Sequence, residues 1–383
     1  MSLKFRKIPA FIFFFLFIFA HSASVDASDI YDYEPSFSPY YAGSVKSSVL
    51  YRTLEELNYI RRLVGVPDNV TLNAEYTRRA QHGAVLLDAV NNITHTPGKP
   101  YDMDNSFYEL GYDAASHGNI ANGYGITLSD STKLYMDDSD SYNINYVGHR
   151  RWLMNPRLKE TGFGISTRRG YAVTYVIEEF NNDASYLERL RWPIPDEYIT
   201  WPSGKYPHPL TYFEAHTAWS VTLNSDVFDT CRVGSVGVRL TRLSDGKIWN
   251  FGALGNNGFF NVADNSYAYD ECVIFCPDDV ISYRDGEIWR VEVSGLTRKD
   301  GAIGNISYTV QFTGALTGYE NDNTYSYNDP YQYGYDYDYY NYDYYNYGRN
   351  NGRKKSGGGG CNSLPVTTGV LAVLLYFGIP RRK

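Results

Sequence analysis

The chain has 383 residues, enough for more than one folded domain together with extended ends. Its formal net charge is −8 at pH 7, and no basic block lies outside the two termini. Phosphate recognition needs concentrated positive charge, so this composition argues against nucleic acid as a partner.

The N-terminal segment has the three parts of a secretory signal. Three basic residues open the chain, the apolar run IPAFIFFFLFIFA follows, and small residues come next around Ala23. The apolar run is short for a helix that spans a bilayer. The sequence therefore predicts a cleaved signal over residues 1–23, followed by a polar lead-in over residues 24–47.

The next part of the chain predicts helices first and strands second. Apolar residues recur at three- and four-residue steps in two long segments, the second with Asn73 as a candidate N-cap. A shorter helix, capped by Ser129, and a helix containing YVGHRRWL follow, and then two segments with strand composition. This order is typical of an α+β domain, which we place at residues 48–182. The predicted helices cover residues 48–65, 72–92, 129–138 and 146–153, and the predicted strands cover residues 161–166 and 171–180.

The amino-acid composition changes after residue 182. Proline and tryptophan are frequent in RWPIPDEYITWPSGKYPHP, and residues 183–217 are interpreted as a linker. Short strand candidates then alternate with the turn signals SDG, NNG and RDG. This spacing predicts an all-β, sandwich-like module over residues 218–316.

The C-terminal part is low in complexity and then apolar. Residues 317–356 alternate tyrosine with Asp, Asn and Gly, which favours a spacer, one that alternatively adheres to sugars or wall polymers. In residues 357–383, a glycine run with Cys361 precedes a marginal hydrophobic segment and a basic end. This pattern resembles bacterial C-terminal sorting signals with a glycine-cysteine motif, and a plain membrane anchor is the alternative. Both readings predict a partner in the membrane or cell envelope.

Three further cysteines lie in the second half of the chain. An exported protein can keep disulfides, and we expect one bridge from Cys231 to either Cys272 or Cys276, with the third cysteine free or paired outside the domain.

Four motifs in the first domain carry a family resemblance. In chain order they are LNYIRRLVGVPDNVTLNAEYTRRAQHGAVLLD, THTP, HGNIANG and VGHRRWLMNPRLKETGFG. Together they resemble the bacterial form of the CAP superfamily, the group of cysteine-rich secretory, antigen 5 and pathogenesis-related proteins, also called SCP-like. The resemblance covers about residues 48–182 and implies an α–β–α sandwich, followed here by the all-β module.

The resemblance also implies a cleft lined by two histidines and two acidic residues. His95 in THTP and His149 in GHR match the two histidines. Asp138, or its neighbour Asp137, matches the acid that precedes GHR. The family's other acid stands in a Gly-Glu-Asn motif, for which this chain has glycine in the run HGN.

Two more residues complete the predicted cleft lining. His117 precedes Gly118, the glycine that stands where the family has glutamate, and is the candidate substitute for that missing acid. Arg150, which follows His149, is a further candidate lining residue.

The residue types allow two kinds of chemistry. His95 and His149 are candidate ligands of a divalent metal such as zinc, since neutral imidazoles bind such ions and a carboxylate can orient them. With Asp138 and an open position, such a site could activate water. The chain has neither a His-Glu-x-x-His helix nor a Gly-x-Ser-x-Gly elbow.

We therefore expect a secreted or surface-displayed protein that binds an unidentified ligand or envelope component through the cleft, without turnover. A metal-assisted hydrolase, such as a peptidase, is one alternative. The other is a structural or adhesive envelope protein in which the tyrosine tract makes the attachment.

Overall fold

The computed structural model describes residues 27–177, 191–208, 212–231 and 233–314. The predicted signal, the tyrosine-rich spacer and the C-terminal segment lie outside these ranges, and the predictions for them stand as predictions. The helices of the described part are α1 (Ala27–Ile30), α2 (Ser47–Leu63), α3 (Ala74–Val90), α4 (Asn105–His117), α5 (Leu128–Asp137) and α6 (Gly148–Leu153).

The lead-in is folded rather than extended. It forms two short antiparallel pairs, in which β1 pairs with β4 and β2 pairs with β3. The Tyr31 hydroxyl donates to Ile165 O at 2.9 Å, so this segment is attached to the body of the domain. The strands are β1 (Tyr31–Tyr33), β2 (Ser36–Phe37), β3 (Tyr40–Tyr41) and β4 (Ser44–Val45).

A four-stranded sheet forms the middle of the first domain, in the order β5-β7-β8-β6. β5 is parallel to β7, and the other two pairings are antiparallel. The bounds are β5 (Thr71–Leu72), β6 (Gly118–Asn122), β7 (Glu160–Ser166) and β8 (Tyr171–Tyr175).

Helices cover both faces of this sheet because its strands are apolar on both sides. Val173 and Tyr175 pack with Ala80 and Ala114 of α3 and α4. Alternate residues of the strands, such as Phe163, belong to a second cluster that includes apolar residues of α2 and α5. Successive residues of a strand point to opposite faces, so the sheet lies between two helical layers. The predicted α–β–α arrangement within an α+β fold is confirmed.

The Gly-Phe-Gly segment of β7 explains how closely α3 approaches the sheet. A Cβ added at Gly162 would lie 2.2 Å from Thr77 N, and one at Gly164 would lie 2.3 Å from Ala80 C. Glycine at these two positions lets helix backbone lie directly on strand backbone.

The second region is a sandwich of two sheets, and it begins earlier than predicted. The five-stranded sheet has the order β10-β17-β16-β12-β13 and the four-stranded sheet β14-β15-β11-β9. Its strands are β9 (Tyr198–Trp201), β10 (Lys205–His208), β11 (Trp219–Leu223), β12 (Gly237–Arg242), β13 (Ile248–Gly252), β14 (Gly258–Ala263), β15 (Cys272–Pro277), β16 (Ile288–Thr297) and β17 (Ile303–Gly314).

Strands β9 and β10 lie in the segment interpreted as a linker. β9 pairs with β11, and β10 runs parallel to β17. Trp201 and Tyr206 are fully buried, which explains why a segment rich in proline is still part of the sandwich. We use "β module" below for residues 198–314 as the structure describes them.

The predicted disulfide from Cys231 is wrong for this structure. Cys231 and Cys272 are both free thiols. Cys272 is buried within β15, while Cys231 lies in the loop after β11, where its backbone N–H donates to Glu271 Oε2 at 2.8 Å. Separately, within the described ranges no helix combines the length and apolarity needed to cross a bilayer.

Candidate functional site

His149 is held by the acid that comes before it in the chain. Its Nδ1 lies 2.7 Å from Asp138 Oδ1, and Asp138 Oδ2 accepts the backbone N–H of Arg150 at 3.1 Å. Asp138 is the C-cap of α5 and takes a left-handed conformation with φ of 48°, which Asp tolerates better than most residues. The Asp138 side chain is 1% exposed and that of His149 is 19% exposed, so the acid is buried behind a ring that reaches the surface.

Two further residues fix His149, and sequence reasoning did not single them out. Asn119 Nδ2 donates to His149 O at 2.9 Å, and the Tyr135 ring lies 5.3 Å from the His149 ring. Tyr135 is itself fixed, because its hydroxyl donates to Asn119 O at 3.0 Å. The signal for Asn119 was present, since it matches the asparagine of the family's Gly-Glu-Asn motif.

His95 lies on the loop after α3, at the surface. Its Nδ1 is 2.7 Å from Ala115 O of α4. The Tyr108 hydroxyl donates to Pro97 O at 3.1 Å and attaches the same loop to α4 a second time. Two contacts with one helix therefore set the position of His95.

The two imidazoles lie within electrostatic reach of each other and shift in opposite directions. The pKa of His95 is lowered, first because its surroundings withdraw it from water and also because charge on His149 repels its proton. Burial also lowers the pKa of His149, but the charge and hydrogen bond of Asp138 outweigh that effect and raise it overall. At a pH between the two pKa values, His95 is therefore neutral while His149 is protonated.

In both rings Nδ1 is the atom that is hydrogen-bonded to the protein. A carbonyl or carboxylate oxygen only accepts, so Nδ1 carries the proton in His95 and in His149. Nε2 is then the atom that each ring can offer to a ligand. In the pH range between the two pKa values, Nε2 of His95 can accept a hydrogen bond and Nε2 of His149 can donate one.

The structure places His117 in a different group of side chains. Its Nδ1 is 3.2 Å from Asp113 Oδ1, and its ring stacks at 6.0 Å from that of Tyr175. Asp113 also accepts from Arg79 Nη1 at 2.9 Å and from the Tyr175 hydroxyl at 3.0 Å. His117 thus belongs to a polar cluster at the end of α4.

Arg150 is fully buried and points into the β module. Its guanidinium donates to Ala218 O at 2.7 Å, to Ser220 Oγ at 3.2 Å and to Met136 O at 2.7 Å. Only its backbone N–H contributes to the site, through Asp138.

Steric crowding explains the glycine in the HGN run. A Cβ at Gly118 would lie 2.6 Å from Ala114 O and 2.9 Å from Val173 Cγ1. No side chain fits on this backbone, so the acid that the resemblance implies has no room here.

A surface hollow of about 390 Å³ adjoins the His95 loop. The loop and the end of α3 line it with both apolar and polar side chains, among them Val90, Asn92, Thr96 and Lys99. In the part of the chain that the structure describes, no three His, Cys, Asp or Glu side chains form a group able to hold a metal ion. The zinc prediction for His95 and His149 stays a prediction.

Residues 54–180 match the family model described as "Cysteine-rich secretory protein family", CAP. The match contains His95, Asp138 and His149, the four-stranded sheet, helices α3 to α6 and the motifs quoted above. Residues 54–180 form a CAP domain. The strands of the β module lie outside the matched segment.

Comparisons with curated proteins and with solved structures give no strong match to this chain. No curated protein matches the chain. Among solved structures, CopC from Methylosinus trichosporium OB3b shares 13% identity over 31% of this chain and 94% of its own, with a TM-score of 0.20. ACE19, the collagen binding subdomain of the Enterococcus faecalis surface protein ACE, shares 8% identity over 32% of this chain and 92% of its own, with a TM-score of 0.13.

Proposed function

We propose that the CAP domain binds a polar ligand at the cleft where His95 and His149 meet, without turning it over. The observation that carries this proposal is the fixed Nδ1 of each ring, which leaves two Nε2 atoms of opposite hydrogen-bonding character. A group with an acceptor and a donor close together, such as a hydroxycarboxylate, is complementary to this pair.

Asp138 gives the cleft its preference for an acceptor with negative charge. A carboxylate hydrogen-bonded to an imidazole favours the charged form of the ring. Charge-assisted hydrogen bonds are about twice as strong as neutral ones. A ligand carboxylate would therefore bind most strongly where it accepts a hydrogen bond from protonated His149.

The test uses sodium glycolate as the minimal probe and follows the Cε1–H signals of both rings by NMR. We expect saturable shifts of His95 and His149 in the wild type and their loss in His149→Gln. His82→Gln is the matched control, because His82 lies on α3 with its Nδ1 on Arg78 O and should leave binding intact. Unchanged signals of both rings with glycolate, and with zinc, would remove the proposal.

A divalent metal site is the second candidate, and it carries the alternative of metal-assisted hydrolysis. A histidine that binds a metal usually donates its other N–H to a carbonyl or carboxylate, as both rings do here. His95 and His149 would supply Nε2, and the ion would polarise a carbonyl or activate water.

The pH dependence of binding separates the two candidates. A metal needs His149 deprotonated, so zinc binding should strengthen as pH rises through the raised pKa of His149. Glycolate needs His149 protonated, so its binding should weaken over the same range. Zinc binding that is tight and follows the first pattern would favour the metal site.

The location of the protein is part of the proposal. The N-terminal basic and apolar segment and the C-terminal glycine-cysteine segment support export and attachment at the cell surface. Fractionation of cells that express the full chain should find it in the envelope, and removal of residues 357–383 should release it. Residues 319–347 are the tyrosine-rich part of the spacer. If the protein stays attached without residues 357–383 but is released when residues 319–347 are deleted, adhesion through this tyrosine tract is favoured instead.

A further inference from the structure

The segment that carries His149 is packed against the β module along most of its length. Val147 is fully buried with Ala218, Ala263 and Ile274 of the β module. Its φ is 41°, a left-handed conformation that is an outlier for a β-branched residue. Such a backbone persists only where its surroundings hold it, and the β module supplies those surroundings.

The residues on either side of His149 make the same kind of contact. A Cβ at Gly148 would lie 2.6 Å from Tyr267 Cδ1, so glycine lets the Tyr267 ring lie against the turn. Arg151 Nη2 donates to Asp264 O at 2.7 Å, to Tyr267 O at 2.8 Å and to Asp270 O.

The acid that holds His149 is fixed by its own neighbour. Asp137 Oδ1 accepts from the Thr217 hydroxyl at 2.8 Å and lies 3.4 Å from His216 Nε2. Asp138 is the next residue and accepts from His149 Nδ1. The carboxylate of Asp137 thus contacts the segment that enters β11, while the carboxylate of Asp138 contacts His149.

Arg150 links Asp138 to strand β11 of the β module. Its backbone N–H donates to Asp138, while its guanidinium donates to Ala218 O and Ser220 Oγ. Arg150 Nη2 also donates to Asp137 O at 2.5 Å. A shift of β11 would therefore move both the acid and the start of α6.

We propose that the β module is a positioning element of the cleft, which holds Asp138 and His149 in contact through Val147, Arg150 and Asp137. This inference rests on the proposed function for its biological meaning. It predicts that the CAP domain alone does not set the geometry of its own site.

The experiment changes β-module side chains that do not touch the His149 ring and measures the pKa of His149 by NMR in the full chain. In Thr217→Val and Tyr267→Ala we expect this pKa to fall by about half a pH unit or more, because the hydrogen bond to Asp138 loosens. Asp138→Asn sets the full size of the effect.

A matched control lies on β11. Thr222 has its hydroxyl 3.6 Å from Cys272 Sγ, and Thr222→Val removes a buried hydroxyl without touching Arg150 or Asp137. It should lower stability and leave the pKa of His149 unchanged. An unchanged pKa in both Thr217→Val and Tyr267→Ala, in chains that remain folded, would overturn the inference.

No ligand enters this measurement. A failed glycolate titration therefore does not affect the outcome, and an unmoved pKa says nothing against ligand binding. The two proposals fail separately.

Discussion

At the scale of single residues, the Asp138–His149 hydrogen bond is the feature from which the site is built. The quoted motifs named His149 and left the acid as Asp138 or Asp137, and the structure shows that Asp138 makes the hydrogen bond. The chain could not show that Arg150 points away from the cleft, because neighbouring residues of a helix differ in direction by about 100° and only the fold decides which side is open.

The raised pKa of His149 predicts a pH-dependent contribution to stability. A group with a folded pKa above its unfolded value of about 6.5 stabilises fully below that pH, and the contribution is lost as pH rises through the folded pKa. The cost of His149→Gln in free energy of unfolding should therefore be larger at about pH 5.5 than at about pH 9, measured by urea denaturation.

For His82→Gln we expect the opposite pH dependence of the cost in free energy of unfolding. Burial lowers the pKa of His82, so its contribution is present above about pH 6.5 and is lost as pH falls. The cost of this change should be larger at about pH 9 than at about pH 5.5. Equal pH trends for the two variants would contradict the assigned shifts.

At the scale of elements, the strongly periodic segments were predictable and the others were not. The expected helices over residues 48–65 and 72–92 correspond to α2 and α3, and Asn73 does cap α3 by accepting from Glu75 N and Tyr76 N. Helix α5 is capped by Thr127, in a capping box with Asp130, rather than by Ser129.

Helix α4 was not predicted. Helix α4 has the sequence NSFYELGYDAASH, in which glycine and small residues replace the aliphatic stripe that marks a helix. A Cβ added at Gly111 would lie 3.0 Å from His82 O and from Leu86 Cβ, so glycine here lets α4 pack closely on α3. Such tertiary causes leave little periodicity in the sequence.

The contact between β7 and α3 gives an element-scale prediction. Gly164→Ala should lower the free energy of unfolding by about 1–3 kcal/mol, because its methyl group would overlap the backbone of Ala80. Gly234→Ala is the control, since nothing lies within 4 Å of its Cβ position. Thermal unfolding with the same loss in both variants would contradict this account of the glycine.

At the scale of the whole molecule, the two regions share a buried interface that the sequence did not reveal. Arg157 and Asp270 form a two-point ion pair at 2.6 and 3.2 Å, with side chains 3% and 0% exposed. The partners are 113 residues apart in the chain. No local sequence pattern links two residues so far apart, so this contact could not be predicted from the sequence.

This ion pair should be costly to break from one side. Asp270→Asn should lower the free energy of unfolding by about 3–5 kcal/mol, since it removes the negative charge that faces the buried Arg157 guanidinium. The matched exposed pair is Arg298–Glu197, for which Glu197→Gln should lower the free energy of unfolding far less, because water screens the two charges. Comparable losses in urea denaturation would show that the interface charge is not desolvated as described.

The central proposal is that His95 and His149 share one cleft, with Asp138 raising the pKa of His149. NMR titration of both rings, in the wild type and in His149→Gln, tests it most directly. We expect His149 to titrate above His95 in the wild type, and the pKa of His95 to rise when His149 is replaced, because a repelling charge is removed. A His95 pKa that does not respond to the replacement, or a His149 pKa at or below that of His95, would contradict the account.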